Sequence, residues 1–247
     1  MGVKSLVQNL KRIEMSNNAS PSDTTKTSIH IPYDLPMRPY HKLMARLVNQ
    51  YSPRDGRILD VGCGVGNMLE LVRRDSEAFE LVGADIDQHC LDLATARVRI
   101  DRTIRIGDVL DLVDPTLDAG KFDVIVLSHV LEHVYRPYDT VRALMSLLRP
   151  GGNLILAVPN PVRLDVMAYN LIRRFDKVNK GHVQTWDRAT WRNFLENILE
   201  LNVIAYPIDF IRIPVVDKLQ CLHPILHAGA VVFPGFARSC MAIVKNS

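Results

Sequence analysis

No two cysteines in this chain are spaced as CxxC. The four present, Cys63, Cys90, Cys221 and Cys240, are scattered. That spacing supports neither a disulfide framework nor a thiolate zinc site, and a reducing, cytoplasmic setting is expected. No run of about 18 apolar residues occurs, so no transmembrane helix is expected. The N-terminus has no apolar core followed by a small-residue cleavage site, which argues against a secretory signal. Lysine and arginine form no block, and a formal net charge of +3 is too small to call for a nucleic-acid partner. Internal repeats are also missing. What remains is ordinary for a globular protein: 247 residues, 47% of them hydrophobic and 23% charged, enough for one large domain with a real core.

Residues 1–39 read as an N-terminal flexible segment. A short amphipathic piece, "SLVQNLKRI", is followed by the polar, breaker-rich "SNNASPSDTTKTS". Leu43, Met44, Leu47 and Val48 then give a helical pattern between Tyr40 and Tyr51. Beyond it, strand and helix signals alternate. "RILDV", "FELVGAD", "TIRIGD", "KFDVIVLS" and "NLILAVP" read as strands. "NMLELVRR", "QHCLDLATARV" and "PYDTVRALMSLL" read as helices, the last with Val141, Leu144, Met145 and Leu148 on one face. "RPGG" reads as a turn. This alternation predicts an α/β fold with a doubly wound parallel sheet. Residues 161–186 read as irregular. "DRATWRNFLENIL" reads as a helix capped by Asp187, with Trp191, Phe194, Leu195 and Ile198 inward. "LNVIAYPI" and "SCMAIVK" look like the last two strands. The apolar, proline-containing stretch 212–237 between them is too long for a hairpin turn.

The stretch "LDVGCGVGNML" joins the first strand to a helix through Gly62, Gly64 and Gly66. Such a junction lies at the carboxyl ends of the strands, where nucleotide-type ligands bind, and its glycines permit positive φ and close backbone approach. A dinucleotide fingerprint would require glycine at position 67, which is Asn67 here. Asp85 ends the second strand about 20 residues on, where an acidic side chain meets ribose hydroxyls. Asp108 ends the third, where it could meet an adenine amine or serve as turn chemistry.

With "FDVIVLSHVLEHV" and "LLRPGGNLILAVPN" following in order, the set resembles the class I S-adenosylmethionine-dependent methyltransferases, densely over residues 40–160 and loosely over 180–247. The resemblance implies a Rossmann-like sheet of seven strands with the last antiparallel. It implies S-adenosyl-L-methionine as cofactor and S-adenosyl-L-homocysteine as product. Asp60, Gly62, Cys63, Gly64 and Gly66 would line the methionine moiety, Cys63 as a small residue that fits rather than a reactive one. Asp85 would hold the ribose with Ile86 beside the adenine. Asp108 and Val109 would frame the adenine, and Ser128 would close the floor. A sulfonium with an attached amino acid suits acidic and backbone groups better than the bare helix N-terminus that suits a pyrophosphate.

Methyl transfer from a sulfonium is an in-line displacement that needs an aligned acceptor and little water. "SHVLEHV" lies where the acceptor would sit. His129 and His133, four apart, would share a helical face with Glu132 one residue off it. Three readings stand: a histidine base, His133 or His129; a divalent metal site; or packing and orientation only. The ubiquinone-pathway O-methyltransferases, which "LEHV" resembles, carry ExxEH as metal ligands, whereas this chain has HxxEH. Magnesium prefers oxygen, so His129 in that place argues against it; two histidines and a glutamate suit a transition metal better. No residue is assigned as a metal ligand. His182, in "KGHVQTW", is a further catalytic candidate facing the substrate pocket. Tyr33, Arg38, Tyr40 and His41 precede the core and would either fold over the cofactor as a lid or simply pack.

Residues 40–247 are thus expected to form a methyltransferase domain, with 161–186 and 212–237 as substrate-side caps. The second could also serve as a dimer surface, making a homodimer, or as a lipid-facing patch, although its few charges do not favour anionic headgroups. The acceptor is expected to be a small molecule, methylated on a hydroxyl. The alternatives are N-methylation, a metal-assisted quinone-type reaction, a catalytically silent cofactor-binding domain, and a nicotinamide dehydrogenase, which Asn67 opposes.

Overall fold

The computed structural model describes residues 37–113, 122–172, 181–213 and 222–247. The amphipathic piece, the polar linker, Tyr33 and Cys221 lie outside the described residues. So do parts of both expected caps.

Seven strands form one sheet: β1 (Arg57–Val61), β2 (Glu80–Asp85), β3 (Arg102–Arg105), β4 (Phe122–Ser128), β5 (Leu148–Pro159), β6 (Val203–Ala205) and β7 (Ser239–Lys245). Their order is β3-β2-β1-β4-β5-β7-β6. β1 to β5 pair in parallel, and β7 runs antiparallel to both β5 and β6. This is the doubly wound sheet expected from the alternation. The chain order reverses on either side of β1, which opens a crevice at the carboxyl ends of β1 and β4.

The strands alternate with period two between the sheet's faces. Ile125 and Leu127 of β4, Leu154 and Leu156 of β5, and Ala242 and Val244 of β7 enter one core. Val124, Val126, Ile155, Ala157, Met241 and Ile243 enter the other. On the second face pack α1 (Pro39–Tyr51), α2 (Asn67–Asp75) and α3 (Gln88–Arg97), through Met44, Leu47, Val48, Leu69, Val72 and Leu91. On the first face pack α4 (Pro137–Leu147) and Trp186, Trp191 and Phe194. Both faces are covered, which is why the central strands read as continuous apolar runs.

Several local expectations are corrected. Residues 161–186 are not wholly irregular, because α5 (Leu164–Ile172) forms there without burying any residue. The "RPGG" turn lies inside β5, where Gly151 at φ 78° accommodates a register shift against β4. The third strand ends at Arg105, short of Asp108. α6 (Arg188–Asn193) is capped by Asp187, whose carboxylate accepts from Thr190 N at 2.8 Å. It then widens into a π turn, Phe194–Ile198. The wider turn carries Ile198 out to 52% exposure and buries Leu199 in its stead. In the insert, α7 (His223–Val232) packs Ala230 against Ile211 and Ala237.

Candidate functional site

The glycine loop leaves β1 through three left-handed residues, Gly62 at φ 75°, Gly64 at 52° and Gly66 at 77°. Gly62 has no room for more: a Cβ there would stand 2.3 Å from Val130 Cγ2. The loop is thereby pressed against the segment that follows β4. Gly62 N and Cys63 N donate to Ala84 O at 2.8 and 3.1 Å, and Gly64 N donates to Asp85 Oδ2 at 2.8 Å. Asp85 also accepts from Asp87 N at 3.0 Å. Asp85 is therefore buried and held at the end of β2, with its carboxylate knitted to the loop. Cys63 packs its side chain into the core, and burial pushes its thiol well above the usual range. Ile86 is exposed.

Asp60, at the base of the loop, is buried. Desolvation, and then the nearby Asp85 charge, push its carboxyl up to about 7. The sign follows from linkage: the folded chain holds this proton more tightly than the unfolded one. Without a ligand, Asp60's contribution to stability is complete below the unfolded pKa of 3.8 and is lost as pH rises through about 7. A cationic amino group bound beside Asp60 reverses the preference. Affinity for S-adenosylhomocysteine, measured by calorimetry, is expected to rise between pH 5.5 and 7.5 by up to about tenfold per unit, then level. Asp60→Asn is expected to flatten the profile; a flat wild-type profile would remove Asp60 from the ligand's charge balance.

Asp108 is exposed in the turn beyond β3. Its Oδ1 accepts from Leu110 N at 2.9 Å, so it caps the short turn Val109–Val113. Asp111, which sequence reasoning passed over, accepts from Gly107 N and Asp108 N at 2.7 and 2.8 Å. Val109 is buried, and Ser128 Oγ is buried without a hydrogen-bond partner among the described residues.

The histidine segment does not form the helical face expected of it. His129 stands at φ 58°, and a single short turn, Leu131–His133, follows. The result gathers more than a helix would. Glu132 is 2% exposed, and its Oε1 lies 3.7 Å from His129 Nδ1, 3.8 Å from His133 Nε2 and 3.9 Å from His182 Nε2. Oε2 is buried without a hydrogen-bond partner among the described residues. His182 is brought in because Val183 N and Gln184 N donate to Glu132 O at 2.9 and 3.1 Å. Burial lowers the His182 pKa, and Glu132 opposes that shift. His133 Nδ1 lies 2.7 Å from Gly181 O. A carbonyl only accepts, so Nδ1 carries a hydrogen, and Nε2 faces the carboxylate side. Glu132, His133 and His182 can offer ligand atoms all within 4.8 Å of one another. The third donor beside Glu132 and His133 is thus His182, where the HxxEH pattern pointed to His129.

Tyr40 closes one side, its ring 5.0 Å from that of His129. Burial raises its phenol pKa, and both Asp60 and Glu132 act on it. His41 Nδ1 accepts from Arg38 N at 3.1 Å; burial, then the charges of Arg38, His129 and Arg238, bring its pKa down to about 4. His129 Nε2 lies 3.4 Å from Ser239 Oγ. Beyond Tyr40 stands Arg238, with its guanidinium carbon 4.9 Å from the ring centroid. Neither Ser239 nor Arg238 was visible as a site residue in the sequence, since "FARSC" carries no motif.

A family profile described as a methyltransferase domain matches residues 37–198. A ubiquinone biosynthesis O-methyltransferase of Xanthomonas axonopodis pv. citri (strain 306) is 33% identical over 218 residues, 71% of this chain and 87% of that protein. Another of that name, from Xanthomonas campestris pv. campestris (strain B100), is 34% identical over 141 residues, 51% of this chain and 54% of its own. Among solved structures, a SAM dependent methyltransferase from Archaeoglobus fulgidus superposes with a TM-score of 0.55 at 18% identity, covering 83% of this chain and 94% of that one. The geranyl diphosphate C-methyltransferase of Streptomyces coelicolor A3(2) gives 0.53 at 15% identity, covering 83% and 76%. At those identities the structures share the fold.

Proposed function

The chain belongs to the methyltransferase domain family and takes its methyl group from S-adenosylmethionine, and on that premise we propose that its acceptor is a hydroxyl of a small molecule. One observation carries the reading. His133 has its Nδ1 hydrogen held by Gly181 O and its Nε2 turned toward the buried Glu132 carboxylate, in a segment pressed against the glycine loop. The relatives named as O-methyltransferases support the choice of oxygen.

In this reading Asp60, the loop backbone at Gly62–Gly66 and Asp85 hold the cofactor. Val109, Asp108, Ile86 and Ser128 border its adenosine. The acceptor hydroxyl attacks the sulfonium methyl in line. The O–CH3 bond forms as the CH3–S bond breaks, the sulfur keeps the electron pair as S-adenosylhomocysteine, and the hydroxyl proton passes to His133 Nε2. Glu132 stabilises the resulting imidazolium, and His129 and His182 complete the wall. No described helix is long and apolar enough to cross a membrane. The buried, unpaired Cys63, Cys90 and Cys240 support a cytoplasmic setting.

The convergence of Glu132, His133 and His182 favours a second reading, in which they hold a divalent cation. The buried, unpartnered Glu132 Oε2 and two imidazole nitrogens fit a transition metal better than magnesium. The Gly181 carbonyl would orient His133 from behind. A bound cation would acidify the acceptor hydroxyl as a Lewis acid. Dialysis against a chelator separates the two readings. The base reading expects activity to persist and added cobalt(II) to give no visible absorption band. Loss of activity that a divalent ion restores, with a cobalt band abolished by His182→Ala, selects the metal.

A further inference from the structure

Arg238 is 7% exposed, just ahead of β7, and its Nε is buried without a hydrogen-bond partner among the described residues. Among the described residues it makes no ion pair. Its guanidinium instead lies over aromatic rings, 4.9 Å from the Tyr40 centroid and 5.9 Å from that of Phe210. A guanidinium so removed from water is costly unless an anion meets it. Its surroundings make the excess of positive charge larger. Burial lowers its pKa, and the charges of Arg212, Arg38 and Arg163 press the same way. Arg163 pairs with Asp165 at 2.7 Å, and Arg212 reaches the same carboxylate at 3.9 Å. Asp209 is buried nearby; desolvation raises its carboxyl pKa, and the positive charge of Arg238 acts against that shift.

These arginines come from distant parts of the chain: the N-cap of α1, the approach to α5, the strand bridge at Ile211, and the approach to β7. The charges of the other three all act on Arg238. From Glu132 the contacts run through His129 to Tyr40 and from Tyr40 to Arg238. Resting on the acceptor position argued above, we infer that the acceptor carries an oxyanion, a carboxylate or a phosphate, and that Arg238 receives it with Arg38, Arg163 and Arg212 around it. Arginine suits this task, since its planar fork matches either group and stacks on aromatic faces. The acceptor's hydroxyl then lies at the Glu132 end and its acid at the Arg238 end.

The test uses ligands with no hydroxyl to methylate, so it is independent of the transfer step. The full chain, saturated with S-adenosylhomocysteine, is titrated calorimetrically with benzoate, phenyl phosphate and neutral benzamide. One of the two anions is expected to bind at least about tenfold more tightly than benzamide, as charge-assisted hydrogen bonds allow. A preference for benzoate identifies a carboxylate acceptor, and a preference for phenyl phosphate a phosphorylated one. Arg238→Gln is expected to erase the preference while S-adenosylhomocysteine binds as before. Arg212→Gln, at the more exposed rim, is expected to weaken it about threefold and covers the case in which Arg238→Gln fails to fold. Anions that bind no better than benzamide, or a preference that survives Arg212→Gln and a folded Arg238→Gln, overturn the inference. An intact anion preference in a chain that methylates no hydroxyl counts against the hydroxyl reading and leaves the anion site standing.

Discussion

Glu132→Gln is expected to lower kcat at least about 100-fold while the affinity for S-adenosylhomocysteine stays within about twofold. General-base steps contribute about 10²–10⁴-fold, and about 100-fold corresponds to roughly 2.7 kcal/mol of transition-state stabilisation. The reason lies in the centrality of this carboxylate. Its Oε1 lies within 3.7–3.9 Å of a nitrogen on each of His129, His133 and His182. In the proposed mechanism, glutamine keeps the shape and removes the charge that favours the imidazolium formed when the hydroxyl proton arrives. Cofactor affinity is expected to be spared because Asp60, Asp85 and the loop, proposed to hold the cofactor, are untouched. Glutamine also leaves the Glu132 main chain in place, so the bonds from Val183 N and Gln184 N that hold the His182 loop persist. Thermal unfolding of the variant within a few degrees of wild type would show that the loss is chemical. Loss of cofactor affinity equal to the loss of rate would instead make Glu132 a structural residue.

The second large effect is expected at Gly62. Gly62→Ala places a Cβ 2.3 Å from Val130 Cγ2 and forces alanine to φ 75°. The left-handed backbone costs about 1–2 kcal/mol, and the overpacking costs about 1–3 kcal/mol more. The melting temperature should fall by roughly 4–20 °C for a chain of this size. S-adenosylhomocysteine affinity should fall at least about tenfold, because relief comes only by moving the loop away from Val130. Gly64→Ala is the control: a Cβ there meets nothing within 4 Å, so only the backbone cost remains. Equal melting temperatures for Gly62→Ala and wild type would mean the loop is not pressed as tightly on residue 130 as described.

Much of the fold was legible in the sequence because burial imposes periods. β4 is covered on both faces, and it reads as the unbroken run "FDVIVLS". α1 and α4 each bury a stripe, and the stripe showed. α5 escaped notice for the complementary reason. It buries no residue, so no face of it was constrained to be apolar at helical spacing. Ile198 was misplaced because periodicity assumes 3.6 residues per turn, and the π turn after α6 adds to that count. Asp108 was read as a strand end because "TIRIGD" has no local mark of where pairing stops; the pairing with β2 ends at Arg105.

The candidate site divides along the same line. Gly62, Gly64, Gly66 and Asp85 were legible because they follow strands in a fixed order. His129, Glu132 and His133 were legible as neighbours in sequence. That His182 joins Glu132 from about fifty positions away depends on the hydrogen bonds from Val183 and Gln184. The arginines around Arg238 share no motif at all. Each is a single cation in an apolar or mixed stretch, and only the antiparallel return of β7 beside β5 brings Arg238 to Tyr40.

In the proposed function, a hydroxyl is methylated under the control of Glu132 and His133. The most direct measurement follows methyl-13C-labelled S-adenosylmethionine into 3,4-dihydroxybenzoate, which supplies both a hydroxyl and an acid, by product NMR for the wild type and Glu132→Gln. The account predicts labelled methoxy product from the wild type and the same product at least about 100-fold more slowly from the variant. Label on carbon, no transfer by a wild-type chain that binds both molecules, or an undiminished rate in Glu132→Gln would contradict it.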